Sequence, residues 1–295
     1  VKSQTRVLLE GLAWTAPWWV GFLLFLALPL GISLYISFCD YPLLQPPVYV
    51  GAANYKALAE DPVFHKVVLN TLKYVVMAIP IGTILAILLA VLLNARVRGQ
   101  AFFRACVFLP TIVPVVATGV MWLWLLNPDL GLINSTLARV HVQGPMWLST
   151  PNWAMTSLVL ASLWSVGSPV VIYLAGLQDI PEELYESARL DGAARWGQFR
   201  HVTLPGLGPV ILFNVIIGII TTWQLFALPY MMWRGQPGPD RATYFFTMYL
   251  FDNAFRFLKM GYASAMAWIQ FMIILALTGL VFWVGKRTVH YRGAA

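Results

Sequence analysis

Residues 181–205, PEELYESARLDGAARWGQFRHVTLP, form a polar island in a chain that is 59% hydrophobic and 11% charged, and the runs on either side of them decide the fold. Upstream, 140–178 carries no Asp, Glu, Lys or Arg; downstream, neither does 201–233. Within the island, Asp179 precedes Pro181, which suits a first helical turn, and Glu182 and Glu183 place negative charge where the helix dipole is positive. Leu184 and Ala188, with Tyr185 at the margin, give one apolar stripe and leave Glu183, Glu186 and Arg189 exposed. Asp191-Gly192 is a turn signal, because Gly accepts positive φ and Asp bonds nearby backbone. A second short helix follows from about Ala193 to Val202, and Pro205 is expected to close it. The pattern predicts a compact helix-turn-helix knob with one face left for a partner.

Working outward, the count of membrane spans follows from charge, since an ionised side chain at the bilayer centre costs about 2.5 to 3.5 kcal/mol even on insertion scales. Six uncharged runs are long enough to cross: 11–39, 74–95, 105–128, 140–178, 201–233 and 260–285. Each meets the requirement of roughly 20 residues for a helix through hydrocarbon. The fold class is therefore all-α, a polytopic membrane protein with six transmembrane helices and one membrane domain over 1–295. With the amino terminus inside, eleven Lys and Arg fall on the inner side (residues 2, 6, 96, 98, 104, 189, 195, 200, 286, 287 and 292) and seven on the outer (56, 66, 139, 234, 241, 256 and 259), with Lys73 at a helix mouth. That excess places both termini and the island in the cytoplasm. The net charge of +7 thus reads as topology charge, and no basic, aromatic patch calls for nucleic acid. Cys39 and Cys106 fall at opposite ends of their helices, so a disulfide between them would have to cross the bilayer.

The loops are short. Asn54–Val68 reads as an amphipathic stretch along the outer surface, and the aromatic run after Arg234-Gly-Gln-Pro-Gly-Pro as a half-inserted interfacial helix. Trp18, Trp19, Trp122, Trp124, Trp147, Trp153 and Tyr262 fit an aromatic belt. Pro80, Pro110, Pro114 and Pro169 lie inside spans as expected kinks.

The island resembles the EAA loop of binding-protein-dependent ABC importer permeases: Glu186, Ser187, Ala188, then Asp191, Gly192, Ala193, and finally Val202, Thr203, Leu204 and Pro205. Ser187 and Val202 depart from the usual Ala and Ile. GAANYKALAEDPVFHKVVLNTLKY, RACVFLPTIVPVVATGVMWLWLLNPDLGLIN, LAGLQDIPEELYE and GYASAMAW extend the likeness over nearly the whole chain. They resemble the carbohydrate subgroup of maltose, lactose and glycerol-3-phosphate type, first of its two permease subunits. One departure is Ala227 with RGQPGP, where the subgroup often has Asp and a Thr-Gly-Gly-Gly-Pro turn; it leaves the substrate open. The resemblance implies a coupling loop (181–205) of Glu182, Glu183, Glu186, Ser187, Ala188, Asp191, Gly192 and Ala193, seated in a cleft of an ATPase subunit. It also implies the partners: a homologous second permease, two ATPase subunits that bind ATP and Mg, an extracytoplasmic solute-binding protein, membrane lipid and a carbohydrate-type substrate. No cofactor is expected in this chain.

Polar and aromatic groups inside the fourth and fifth spans include Ser162, Trp164, Ser168, Tyr173, Asn214, Thr221, Thr222, Trp223 and Gln224. Trp164, Ser168, Thr221 and Gln224 fall nearest the family's contact positions and are the candidate substrate path; the alternative for all of them is helix packing, at about 0.6 kcal/mol per bond. Catalytic and metal signatures fail. Gly279 to Arg287 lacks the spacing and the Ser/Thr of a phosphate loop, and the four His are scattered without HExxH. Acidic residues, expected in an ion-coupled carrier, are missing from all six runs, which argues against a self-sufficient carrier.

Overall fold

The computed structural model describes residues 2–95 and 98–288; Arg96, His290 and Arg292, counted above, lie outside them. In chain order the helices are α1 (Lys2–Phe22) and α2 (Leu28–Ser37), joined by a π turn, then α3 (Ala53–Glu60), α4 (Pro62–Asn94), α5 (Gln100–Ile112), α6 (Val115–Leu125) and α7 (Leu132–Arg139). There follow α8 (Pro151–Leu163), α9 (Gly167–Gln178), α10 (Glu182–Leu190), α11 (Arg195–Gln198), α12 (Leu204–Gly206), α13 (Gly208–Trp223), α14 (Ala227–Met232), α15 (Phe246–Phe251) and α16 (Met260–Thr288). The only sheet among the described residues is the small antiparallel pair β1 (Cys39–Asp40) and β2 (Val48–Tyr49).

Six spans are present, of two kinds. Thr5–Ser37, Pro62–Asn94 and Met260–Lys286 are single rods, whereas α5 with α6 bends by 98°, α8 with α9 by 52°, and Arg195–Gly206 with α13 by 63°. The sharpest break has a local cause: Val113, placed before Pro114, is forced out of the helical region (φ −69°, ψ 127°) and ends α5. Pro80 leaves α4 unbroken, and Pro169 stands in the first turn of α9, where a missing N–H costs no ladder bond. Pro205 does not close the second arm of the island. A π turn, Phe199–Thr203, precedes it, and a ring without a donor is tolerated where the ladder has already slipped out of α register.

Three other expectations shift. The second span begins at Pro62 rather than near residue 74, because Asp61 before that proline is extended (ψ 112°) and separates α3 from a rod of 33 residues. At 1.5 Å per residue that rod exceeds the roughly 30 Å of hydrocarbon, so its outer turns, with Lys66 and Lys73, stand clear of it. Only the first half of the aromatic run after Pro239 is core: Phe245, Phe246 and Met248 are at most 1% exposed, whereas Phe255 and Phe257 are 60% and 57% exposed. Trp147 also leaves the proposed belt; it is buried and donates from Nε1 to Asn134 Oδ1 at 2.7 Å.

The chain forms two compact units. In the first, Val1–Pro62 with Leu250–Phe271, Asn54 Nδ2 donates to the carbonyls of Ser37 (2.9 Å) and Cys39 (2.8 Å), and Tyr262 Oη to Asp61 Oδ2 (2.6 Å). Asp252, 5% exposed, pairs with Arg256 at 3.1 Å. The second, Val63–Tyr249 with Met272–Ala295, has two cores. One centres on Tyr74, Leu158 and Phe245, the other on Ala86, Ala90, Val170, Tyr173, Leu177 and Leu207. The second core carries the polar island.

Candidate functional site: a polar elbow and a mid-span cavity

The island folds as an elbow of two helical arms. Pro181 (φ −58°, ψ 136°) starts α10, and Glu182 and Glu183 occupy its first turn, where their charge meets the unsatisfied N–H groups. The far end is a Schellman stop. Gly192 takes φ +81°, its N–H donates to Arg189 O (3.1 Å) and that of Ala193 to Ala188 O (2.8 Å), so the last carbonyls of α10 are satisfied. Gln198 Nε2 then ties back to Ala193 O at 2.9 Å, opening the second arm, Arg195–Gly206.

The arms are held to the core by three side chains. Tyr185, Phe199 and Val202 pack against the cluster around Leu177, Ile180 and Leu207, and Tyr185 Oη meets Thr203 Oγ1 at 3.1 Å. On the first arm, Tyr185 and Ala188 are the half-buried pair, and Leu184 is 43% exposed. The expected stripe is thus rotated: Tyr185, placed at its margin by the sequence, is its anchor.

Glu182, Glu183, Glu186, Ser187, Asp191 and Gly192 are exposed, while Ala193 is half-buried. None of the elbow's charged side chains forms an ion pair among the described residues. The sequence reading missed two residues. Leu190 is 89% exposed, the most exposed large apolar side chain among the described residues, and Trp196, 71% exposed, stacks on Phe199 with centroids 5.4 Å apart. Exposed apolar groups on lipid-facing spans need no explanation; on the polar elbow Leu190 and Trp196 are the two most exposed large apolar side chains. The available signal was an apolar residue beside each turn, Leu190 before Asp191-Gly192 and Trp196 after it.

The second site is a cavity of about 230 Å³ lined from α4, the α8–α9 break and α13. Of the four candidate path residues, Thr221 lines it and Trp164, Ser168 and Gln224 do not. Trp164 caps α8, Ser168 is exposed in the first turn of α9, and Gln224 is exposed at the end of α13. Ser162, Tyr173, Asn214 and Thr222 do line it, together with Tyr74, Thr83 and Ser165, which the sequence reading did not single out. No charged side chain lines it. Several of its polar groups are spent on their own helices: Thr221 Oγ1 on Ile217 O (2.9 Å), Asn214 Nδ2 on Val210 O (3.0 Å), Ser162 Oγ on Val159 O (2.7 Å). What is left over are lone pairs on those groups, the hydroxyls of Thr83, Ser165 and Thr222, and the Tyr173 phenol, which suits a neutral, hydroxylated solute better than an ion.

Six spans, an exposed polar elbow and an uncharged polar cavity are what a membrane permease needs. The chain belongs to the family of binding-protein-dependent transport system inner membrane components, which matches residues 78–290. It is a multi-pass inner-membrane component of an ABC transport system, whose ATP hydrolysis lies in separate subunits and which works with a binding protein. Within the family it stands with permeases of the carbohydrate-uptake type. It is 37% identical to the probable ABC transporter permease YesP of Bacillus subtilis over 98% of this chain and 94% of that one. It is 33% identical to the lactose transport system permease LacF of Rhizobium radiobacter, over 86% and 91% respectively. The fold matches a chain of a bacterial alginate ABC transporter, crystallised with its pentasaccharide-bound periplasmic protein, with a TM-score of 0.83 over 97% of this chain and 96% of that chain at 23% identity.

Proposed function

We propose that the chain, acting as one membrane domain over 1–295 with both termini in the cytoplasm, is half of the translocation path of an importer for a neutral sugar, polyol or oligosaccharide. It pairs with a homologous second permease, receives solute from an extracytoplasmic binding protein, and is driven by two ATPase subunits that hold ATP and Mg. Relatives named for lactose, trehalose/maltose and arabinooligosaccharide transport support the carbohydrate class, as does a cavity lined by tyrosines and hydroxyls with no charge. The observation that carries the reading is the elbow: Leu190 and Trp196 stand exposed on arms that Tyr185, Phe199 and Val202 fix to the spans. Closure of an ATPase dimer on those groups would move α9 and α13 as attached levers, which is alternating access by rigid-body motion. Glu186 offers a carboxylate to a basic residue in the ATPase cleft, and Gly192 permits close approach there.

The test is co-purification. Glu186→Lys and Gly192→Trp should abolish ATPase binding and uptake while the protein still inserts. Normal ATPase recovery with normal uptake in both variants would refute the reading.

A further inference from the structure

A second concave surface lies away from both sites. Leu204, Pro205, Ile211, Val215, Leu280 and Val284 wall a groove of about 650 Å³. Its shape has a local cause. The helix Arg195–Gly206 leaves the axis of α13 by 63° at Leu207, which opens a wedge, and Gly285 brings α16 so close that a Cβ there would meet Leu212 Cδ1 at 2.7 Å. No polar or charged side chain lines the wedge, and its far wall belongs to the span Met260–Lys286, whose 18-residue apolar window has mean hydropathy 2.1.

The rim is different. Arg200 stands about one turn before Leu204 on the same helix, and Lys286 directly follows Gly285; both are exposed, and neither forms an ion pair among the described residues. His201 is tied back to Gly197 O at 3.0 Å. An apolar wedge between membrane helices with two cations at its cytoplasmic end complements an amphiphile with an anionic head. A helix of a partner subunit seated in the same wedge would cover those cations at a cost unless it brought carboxylates of its own. A lipid phosphate neutralises them.

We propose that this groove binds one anionic phospholipid of the inner leaflet, an acyl chain in the Leu204–Val284 wedge and the phosphate at the Arg200 and Lys286 rim. Because the wedge adjoins the second arm of the elbow, the lipid would steady the hinge at Leu207. The proposal does not depend on which solute is carried or on ATPase docking.

The experiment uses the full permease complex in nanodiscs of equal phosphatidylglycerol and phosphatidylcholine, with tightly retained lipid identified by native mass spectrometry. The unaltered complex should retain phosphatidylglycerol preferentially. Arg200→Gln with Lys286→Gln should lower that preference by about fivefold per cation removed, and the charge-conserving pair Arg200→Lys with Lys286→Arg should keep it. Leu280→Trp, which fills the wedge, should reduce retention of both lipids. No headgroup preference in the unaltered complex would overturn the proposal, whatever the variants do. So would a Leu280→Trp protein that retains lipid normally but loses its partner permease.

Discussion

The elbow over 181–205 and the cavity between α4, α8–α9 and α13 are both rich in polar residues, yet they use them in opposite ways. On the elbow the carboxylates stay in water, while Leu190 and Trp196 are thrust outward at 89% and 71% exposure. In the cavity, hydroxyls and amides turn back on their own helices, as Thr221 does on Ile217 O and Asn214 on Val210 O, because hydrocarbon supplies no partner for them. On the reading proposed here, a surface that grips another protein shows its apolar groups, and a path that must not hold its cargo too tightly keeps few polar groups free for it.

The largest effect that could break this contrast is at the two exposed apolar groups. Interface hot spots are worth about 2 kcal/mol or more each, roughly thirtyfold in affinity. Leu190→Glu with Trp196→Glu should therefore weaken ATPase binding by about a hundredfold or more, measured on the purified permease pair, with thermal stability nearly unchanged. Neither side chain is part of the core, so a large stability loss would mean that the elbow folds around them and that docking lies elsewhere.

The elbow was legible in the sequence because its signals are local. Pro181, paired glutamates and Asp191-Gly192 each act within one turn, and α10 runs from Glu182 to Leu190 with a stop at Gly192 as those residues dictate. The six spans were legible because charge is excluded from hydrocarbon over lengths of about 20 residues. The breaks inside three of them were not. Prolines mark two of those breaks, but whether a proline bends a span or begins a helix depends on its position in the turn: Pro80 and Pro169 break nothing, and Pro205 sits beyond a π turn that no local pattern announces. The cavity was half legible. Its members come from helices far apart in the chain, and a side chain at the right depth, such as Gln224, still stands outside if the helix end turns it away.

A middle-sized effect sharpens the role of Gly192. A Cβ there would meet nothing within 4 Å, but φ is +81°. Gly192→Ala should thus cost about 1 kcal/mol of elbow order, through the left-handed backbone alone, seen as about fivefold faster amide exchange in 188–194. Gly192→Asn should recover part of it, because Asn tolerates that region. If Ala and Asn both abolish uptake as fully as Trp, the glycine serves close approach of the ATPase and not the Schellman stop.

The smallest expected effect on stability is the most informative about the cavity. Tyr173 is fully buried, and its Oη has Thr83 as a side-chain neighbour but makes no hydrogen bond of good geometry. Removing a hydroxyl that is already unsatisfied is close to neutral, so Tyr173→Phe should shift stability by no more than about 0.5 kcal/mol. If the solute passes this cavity and accepts from that phenol, the same variant loses one hydrogen bond of about 0.5 to 1.5 kcal/mol. The transport KM should then rise about threefold to tenfold, with ATPase binding untouched. A variant with unchanged KM for a sugar the complex carries would place the path elsewhere and leave Tyr173 as packing. The two readings of Tyr173 separate on transport alone, because both leave melting nearly unchanged and only a path predicts the raised KM.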